Sequence, residues 1–201
     1  MNNRFEPILE FWFGAFPDAY HADPGKIPMW FKNGSQYDSE IFTRFGADYF
    51  AACQGERDHW AGSPRGRLAL IIVLDQFSRH IHRGHAEAFA QDEKAQSLCL
   101  DGIAQGDDQN LHPVERAFFY LPLEHAENLE RQNYCVAAYE GLVQDVPAEH
   151  RQMFESMLDY ARRHHYVIER FGRFPELNAI LGRESSEEEQ AFVASGEYAF
   201  L

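Results

Sequence analysis

LALIIVLDQFSRHIHR, residues 68–83, opens with seven consecutive apolar residues and then places charged ones at helical spacing. Leu68–Leu74 is apolar on every side of a helix, the pattern of a helix buried centrally and not lying on a surface. A buried strand would fit the same seven residues. The helix is preferred because Asp75, Arg79 and His82 continue at three- and four-residue steps with no turn signal between.

Working outward, the periodicity stays helical and no segment alternates like a strand. Pro7 suits the first turn of a helix carrying Ile8, Leu9, Phe11, Trp12 and Phe13, closed by Gly14 and Pro17. Ser35 with Asp38 predicts the start of an amphipathic helix reaching Cys53. Further helices are expected from about Gln91 to Ala104, His112 to Gln132 with Pro122 inside, Tyr134 to Gln144, and Pro147 to Phe171, where Gly172 stops the chain. Ser185 with Glu188 reads as a capping box opening a last helix that ends near Ser195. The expectation is one all-α domain over residues 1–201, seven to nine helices stacked as antiparallel hairpins.

Composition narrows the function classes. The 201 residues carry 18 Lys+Arg against 32 Asp+Glu, a net charge of −14, which repels nucleic acid and anionic lipid. The apolar run is far shorter than the ~20 residues of a membrane span, and the N-terminus lacks the pattern of a signal peptide. Cys53, Cys99 and Cys135 are widely spaced, as in a reducing compartment. A cytoplasmic protein with no nucleic-acid or membrane partner is therefore expected. No P-loop, GxGxxG or GxSxG occurs, and no cofactor is implied.

Three places set polar residues on apolar faces. Asp75 ends the buried run with Arg79 one turn on, either as an intrahelical ion pair or as part of a site. In FFYLPLEHAENLERQ (118–132), Pro122 is expected to kink a helix beside Glu124, His125 and Glu127; the alternative is that it starts a second helix whose acids are solvated. His164 and His165 both fall on or beside the stripe of Phe154, Met157, Leu158, Ala161 and Ile168, so at least one should be buried. Arg170 and Arg173 flank the Gly172 stop, where the helix dipole favours cations. Metal is not expected: His125 and Glu127 are two apart and off one face, and adjacent histidines diverge by about 100°.

DQFSR (75–79), AFAQD (88–92), FYLPLEHAE (119–127) and HHYVIERFGRFPELNAILGRES (164–185) together resemble the bacterial family of unknown function 924, from about Trp30 to Glu188. The resemblance implies an all-α, tetratricopeptide-like right-handed superhelix. It also implies motif positions at Asp75, Gln76, Arg79, Arg83, His125, Glu127, Gln132, His165, Arg170, Arg173, Asn178 and Arg183. Ser78 stands where that family typically has proline, and Glu176-Leu177 where a His-Arg pair is usual, which removes an expected cation.

Two functions follow as expectations. In the first, Arg79, His125, His165 and Arg173 gather around one pocket with Asp75 and Glu127 as counter-charges and Arg170 nearby. Such a pocket suits a small anionic molecule gripped by guanidinium forks, with His125 or His165 as general base. In the second, the fold is an interaction scaffold for a peptide, and the polar motifs lock helices together.

Overall fold

A computed structural model describes residues 4–196 of the chain. Residues 1–3 and 197–201, the two ends of the expected domain, lie outside the described residues. Pro64 begins the central rod, with the Ser63 hydroxyl accepting from the backbone N–H of Gly66 at 3.2 Å. α4 (Pro64–Ile71) runs into a π-helical turn (Ile72–Phe77) and then α5 (Ser78–Ile81). Leu68 through Leu74 have no exposed surface. Six large aliphatic side chains, each worth roughly 1.5–3 kcal/mol on burial, outweigh the several kcal/mol that one paired carboxylate, Asp75, costs at the end of the run.

The other helices cover this rod from all sides. α1 (Glu6–Phe13), α6 (Asp92–Gln105) and α7 (Pro113–Glu124) pack on α4, and α3 (Asp38–Cys53) packs on the π-turn and α5. α2 is a short helix, Ile27–Phe31. Outside α7 lies α8 (Leu129–Asp145), and α9 (Gln152–Phe171) packs extensively on α8. α10 (Glu187–Ser195) rests on a 3-10 turn at Pro175–Leu177. A small second core of Val167, Ile168, Phe174, Leu177 and Phe192 ties α9 to this C-terminal segment. Among the described residues the secondary structure is helical throughout, with no strand, and no helix is long and apolar enough to cross a membrane.

Three local expectations are corrected. Pro122 lies inside a helix and does not start one, but that helix stops well short of Gln132. α7 continues through it to Glu124, the chain turns over residues 125–128, and the Asn128 side chain caps α8 by accepting from Arg131 N at 3.0 Å. The break comes there because Gln132 Nε2 donates to the carbonyls of Glu124 (2.7 Å) and Ala126 (2.9 Å), satisfying groups that a helix end leaves open. The last capping box is Ser186 with Glu189, one residue later than expected, since the Ser185 hydroxyl accepts from Asn178 Nδ2 at 2.9 Å. α3 starts at Asp38 with no Ser35 cap, and the Asp38 carboxylate instead receives His80 and Arg83.

Candidate functional site

Where the second core meets the end of the central rod, a small, part-open cleft is lined by polar and aromatic side chains. Each wall comes from a different stretch: Arg79 from α5, Phe89 and Asp92 from the turn before and the start of α6, His125 from the turn after α7, His164 from α9, and Phe174, Glu176 and Leu177 from the C-terminal turn.

Asp75 lies at the floor, 1% exposed, on the π-turn. Its Oδ1 accepts from His125 Nδ1 at 2.8 Å and is ion-paired with Arg79 Nη1 at 3.1 Å, and its Oδ2 accepts from Gln76 Nε2 at 2.5 Å. Burial alone pushes this carboxyl up, but the charges of Arg79 and His125 bring it down to about 2. An ionised carboxylate only accepts, so His125 Nδ1 carries the hydrogen of that bond, and Nε2 makes no hydrogen bond among the described residues.

Arg79 is held on two sides. Nη1 and Nη2 form a fork onto Asp92 at 3.0 and 3.1 Å, and Nη1 also donates to the backbone oxygen of Asp75 at 2.8 Å. Its guanidinium lies 5.3 Å from the centre of the Phe89 ring. Arg79 Nε and Glu176 Oε2 are buried with no partner among the described residues. Burial pushes the Glu176 carboxyl up.

Behind His125 sits a second buried pair. His164 Nδ1 donates to the Tyr160 carbonyl at 2.9 Å and lies 3.3 Å from Glu124 Oε1. Burial pushes His164 down to about 4, and burial together with the charge of Asp75 pushes Glu124 up to about 8. Both are thus neutral at pH 7. The two histidine rings meet edge-on, with centroids 6.4 Å apart.

Of the residues expected around one pocket, Asp75, Arg79 and His125 converge; the other four do not. His165 points away from the cleft, its Nε2 2.7 Å from Asn133 Oδ1. Arg173 forks onto Glu189 at 2.6 and 2.8 Å and donates to the Glu184 carbonyl, fastening α10. Arg170 pairs with Glu188 on the surface at 2.7 Å. Glu127 receives Arg183 at 2.5 and 2.8 Å and the backbone N–H of Phe174 at 2.7 Å. Sequence reasoning also left His164, Asp92, Phe89 and Glu176 without a role. The helical stripe admitted both histidines, and only the seat of α9 against α7 selects His164.

A family model described as a bacterial protein of unknown function (DUF924) matches residues 8–197. The chain belongs to that family. A solved structure of a protein of unknown function from Agrobacterium tumefaciens is similar over 96% of this chain and 97% of that one, at 32% identity and a TM-score of 0.79. No curated protein matches the chain.

The positions that the family resemblance singled out divide by what they touch. Asp75, Gln76, Arg79, His125 and Gln132 build the floor of the cleft and the turn that presents His125. Glu127, Asn178 and Arg183 brace its C-terminal wall, Arg183 Nε donating to Asn178 Oδ1 at 2.9 Å and Nη2 to the Phe174 carbonyl at 3.1 Å. Glu176-Leu177, the departure from the expected His-Arg pair, falls in that wall, so a carboxylate and an aliphatic side chain face the cleft there.

Proposed function

We propose that this DUF924 protein is a general-base catalyst acting on a small, uncharged substrate, with His125 as the base and Asp75 positioning it. The observation that carries this reading is the 2.8 Å bond from His125 Nδ1 to a carboxylate 1% exposed, with His125 at the wall of a cleft and its Nε2 making no hydrogen bond among the described residues. A buried carboxylate on Nδ1 selects the tautomer whose Nε2 accepts a proton and stabilises the imidazolium that results. The described lining residues include no hydroxyl, thiol or amine, so the nucleophile that best fits is water. Nε2 takes one proton from that water as its oxygen bonds the substrate carbonyl carbon, and returns it to the leaving group as the intermediate collapses.

An anionic substrate fits the cleft less well than sequence alone suggested. The terminal nitrogens of Arg79 are engaged by Asp75 and Asp92, and Asp92 and Glu176 add carboxylates to the walls. The test is hydrolysis of p-nitrophenyl acetate, an uncharged activated ester. Saturable turnover that His125→Ala removes is the expected result. A wild-type rate equal to that of His125→Ala would falsify the base assignment.

A further inference from the structure

Three buried side chains of α8 donate to backbone carbonyls of α7. Tyr139 Oη reaches the Ala117 carbonyl at 2.8 Å, Cys135 Sγ that of Tyr120 at 3.9 Å, and Gln132 Nε2 that of Glu124 at 2.7 Å. None of the three donors' residues has exposed surface. On α8 they stand at i, i+3 and i+7, and their targets on α7 follow the same spacing in reverse order, so each set lies along one face of its helix. A slip of one residue would turn every donor about 100° away from its carbonyl. The ladder therefore fixes the register of the two antiparallel helices, which non-directional apolar packing fixes less strictly.

The last rung does more than the other two. Gln132 Nε2 also donates to the Ala126 carbonyl at 2.9 Å, so one NH₂ group spans the peptide oxygens on either side of His125. Gln132 Oε1 has no partner among the described residues, so the carboxamide is held by its donor end. The backbone N–H of His125 donates in turn to the Leu121 carbonyl at 3.0 Å. With its own N–H and both flanking carbonyls tied, the imidazole has its side-chain torsions left with which to meet Asp75. Two acceptors at a site without exposed surface ask for two hydrogens on one uncharged atom, since a buried cation there would be costly. A primary carboxamide supplies them, and asparagine is one methylene short.

We infer that Gln132 is a positioning residue for His125: its carboxamide sets the backbone on both sides of the imidazole, and through it the Nδ1 bond to Asp75, from a helix that supplies none of the described lining residues of the cleft. The effect on rate rests on the general-base reading above; the effect on the geometry of His125 does not.

The experiment compares Gln132→Met with wild type by proton NMR of the imidazole N–H groups and by turnover of p-nitrophenyl acetate. The proton on His125 Nδ1 is the downfield signal that His125→Ala removes. In Gln132→Met it is expected to exchange with water at least about tenfold faster, and kcat to fall at least about tenfold with KM within about twofold, as misplacement of a reacting group does. Gly102→Ala, on α6 and outside the cleft lining, controls for lost stability: with each variant read at a temperature where it is fully folded, it should match wild type in both readouts. Should Gln132→Met not fold, Gln132→Asn takes its place; it keeps a carboxamide, cannot span both carbonyls, and is expected to move both readouts the same way. No protected proton in wild type, a proton as protected in the Gln132 variant as in wild type, or equal changes in Gly102→Ala, each overturns the assignment. If wild type shows no His125-dependent hydrolysis, the base reading fails and the exchange rate alone decides on Gln132. Hydrolysis that depends on His125 but not on Gln132, with the proton still protected, leaves the base reading standing and removes Gln132.

Discussion

Asp75 and His125 lie fifty residues apart in the chain and meet at 2.8 Å, the carboxylate on a π-helical turn of the central rod and the imidazole in the turn that closes α7. A π-turn closes its backbone hydrogen bonds one residue later than α geometry, and such turns recur at functional sites. Here it carries the carboxylate that ends the buried run, and among the described residues that carboxylate is partnered by Arg79, Gln76 and His125.

Asp75→Asn should therefore separate orientation from mere presence of the imidazole. An asparagine amide can offer its NH₂ to Nδ1, which places the hydrogen on Nε2 and removes the base. Turnover of the ester probe is expected to fall on the order of 10²–10⁴-fold, and ¹⁵N spectra should show His125 changing tautomer. Arg79 keeps its fork on Asp92, so the variant should still fold. An unchanged rate would remove Asp75 from the mechanism.

Stability should vary with pH in two opposed ways. Glu124, at about 8 against an ordinary 4.5, holds a proton that the unfolded chain releases; its contribution is fully present below pH 4.5 and is lost as pH rises through 8. His164, at about 4 against 6.5, is buried neutral; its contribution is present above pH 6.5 and is lost as pH falls through 4. The two offset each other between about 4.5 and 6.5, so wild-type stability should be flat there and decline from 6.5 to 8. Glu124→Gln should abolish the alkaline decline, worth on the order of a few kcal/mol. Denaturant unfolding across pH 4–9 checks this, and an equal decline in the variant would contradict it.

Arginines of the same motif should behave differently when truncated. Arg183→Ala takes away the partner of Glu127 and a donor to the Phe174 carbonyl, so amide exchange across residues 172–184 should quicken and turnover of the ester probe should drop. Arg173→Ala releases Glu189 and should loosen α10 while leaving that turnover intact. Hydrogen exchange together with turnover of the ester probe distinguishes them; loss of turnover in Arg173→Ala would put that residue back at the site.

Gly102→Ala tests the packing of α6 against the rod. A Cβ there would overlap the Phe119 ring and the Arg67 side chain, and Arg67 is held by Asp107 at 2.7 Å. Overpacking of this kind costs roughly 1–3 kcal/mol, read as a lower unfolding midpoint with an unchanged denaturant slope. A variant as stable as wild type would mean that α6 is free to shift.

The sequence by itself determined the helical class, the central position of residues 68–74 and the pairing of Asp75 with Arg79, because hydrophobic periodicity and one-turn neighbours are local properties that burial only reinforces. It also singled out His125 from Pro122 inside the helix, while the turn that presents the imidazole comes after Glu124, where the Gln132 carboxamide takes the carbonyls of Glu124 and Ala126. Tertiary structure alone decided which histidine of the 164–165 pair faces inward, that Asp92 rather than a ligand takes the fork of Arg79, and that Glu127, Arg170 and Arg173 brace the C-terminal segment and stay out of the cleft. The reason is that a charged side chain finds its counter-ion by distance in space: Arg79 and Asp92 are thirteen residues apart, Glu127 and Arg183 fifty-six, and no periodicity within one helix encodes which of several carboxylates lands within 3 Å.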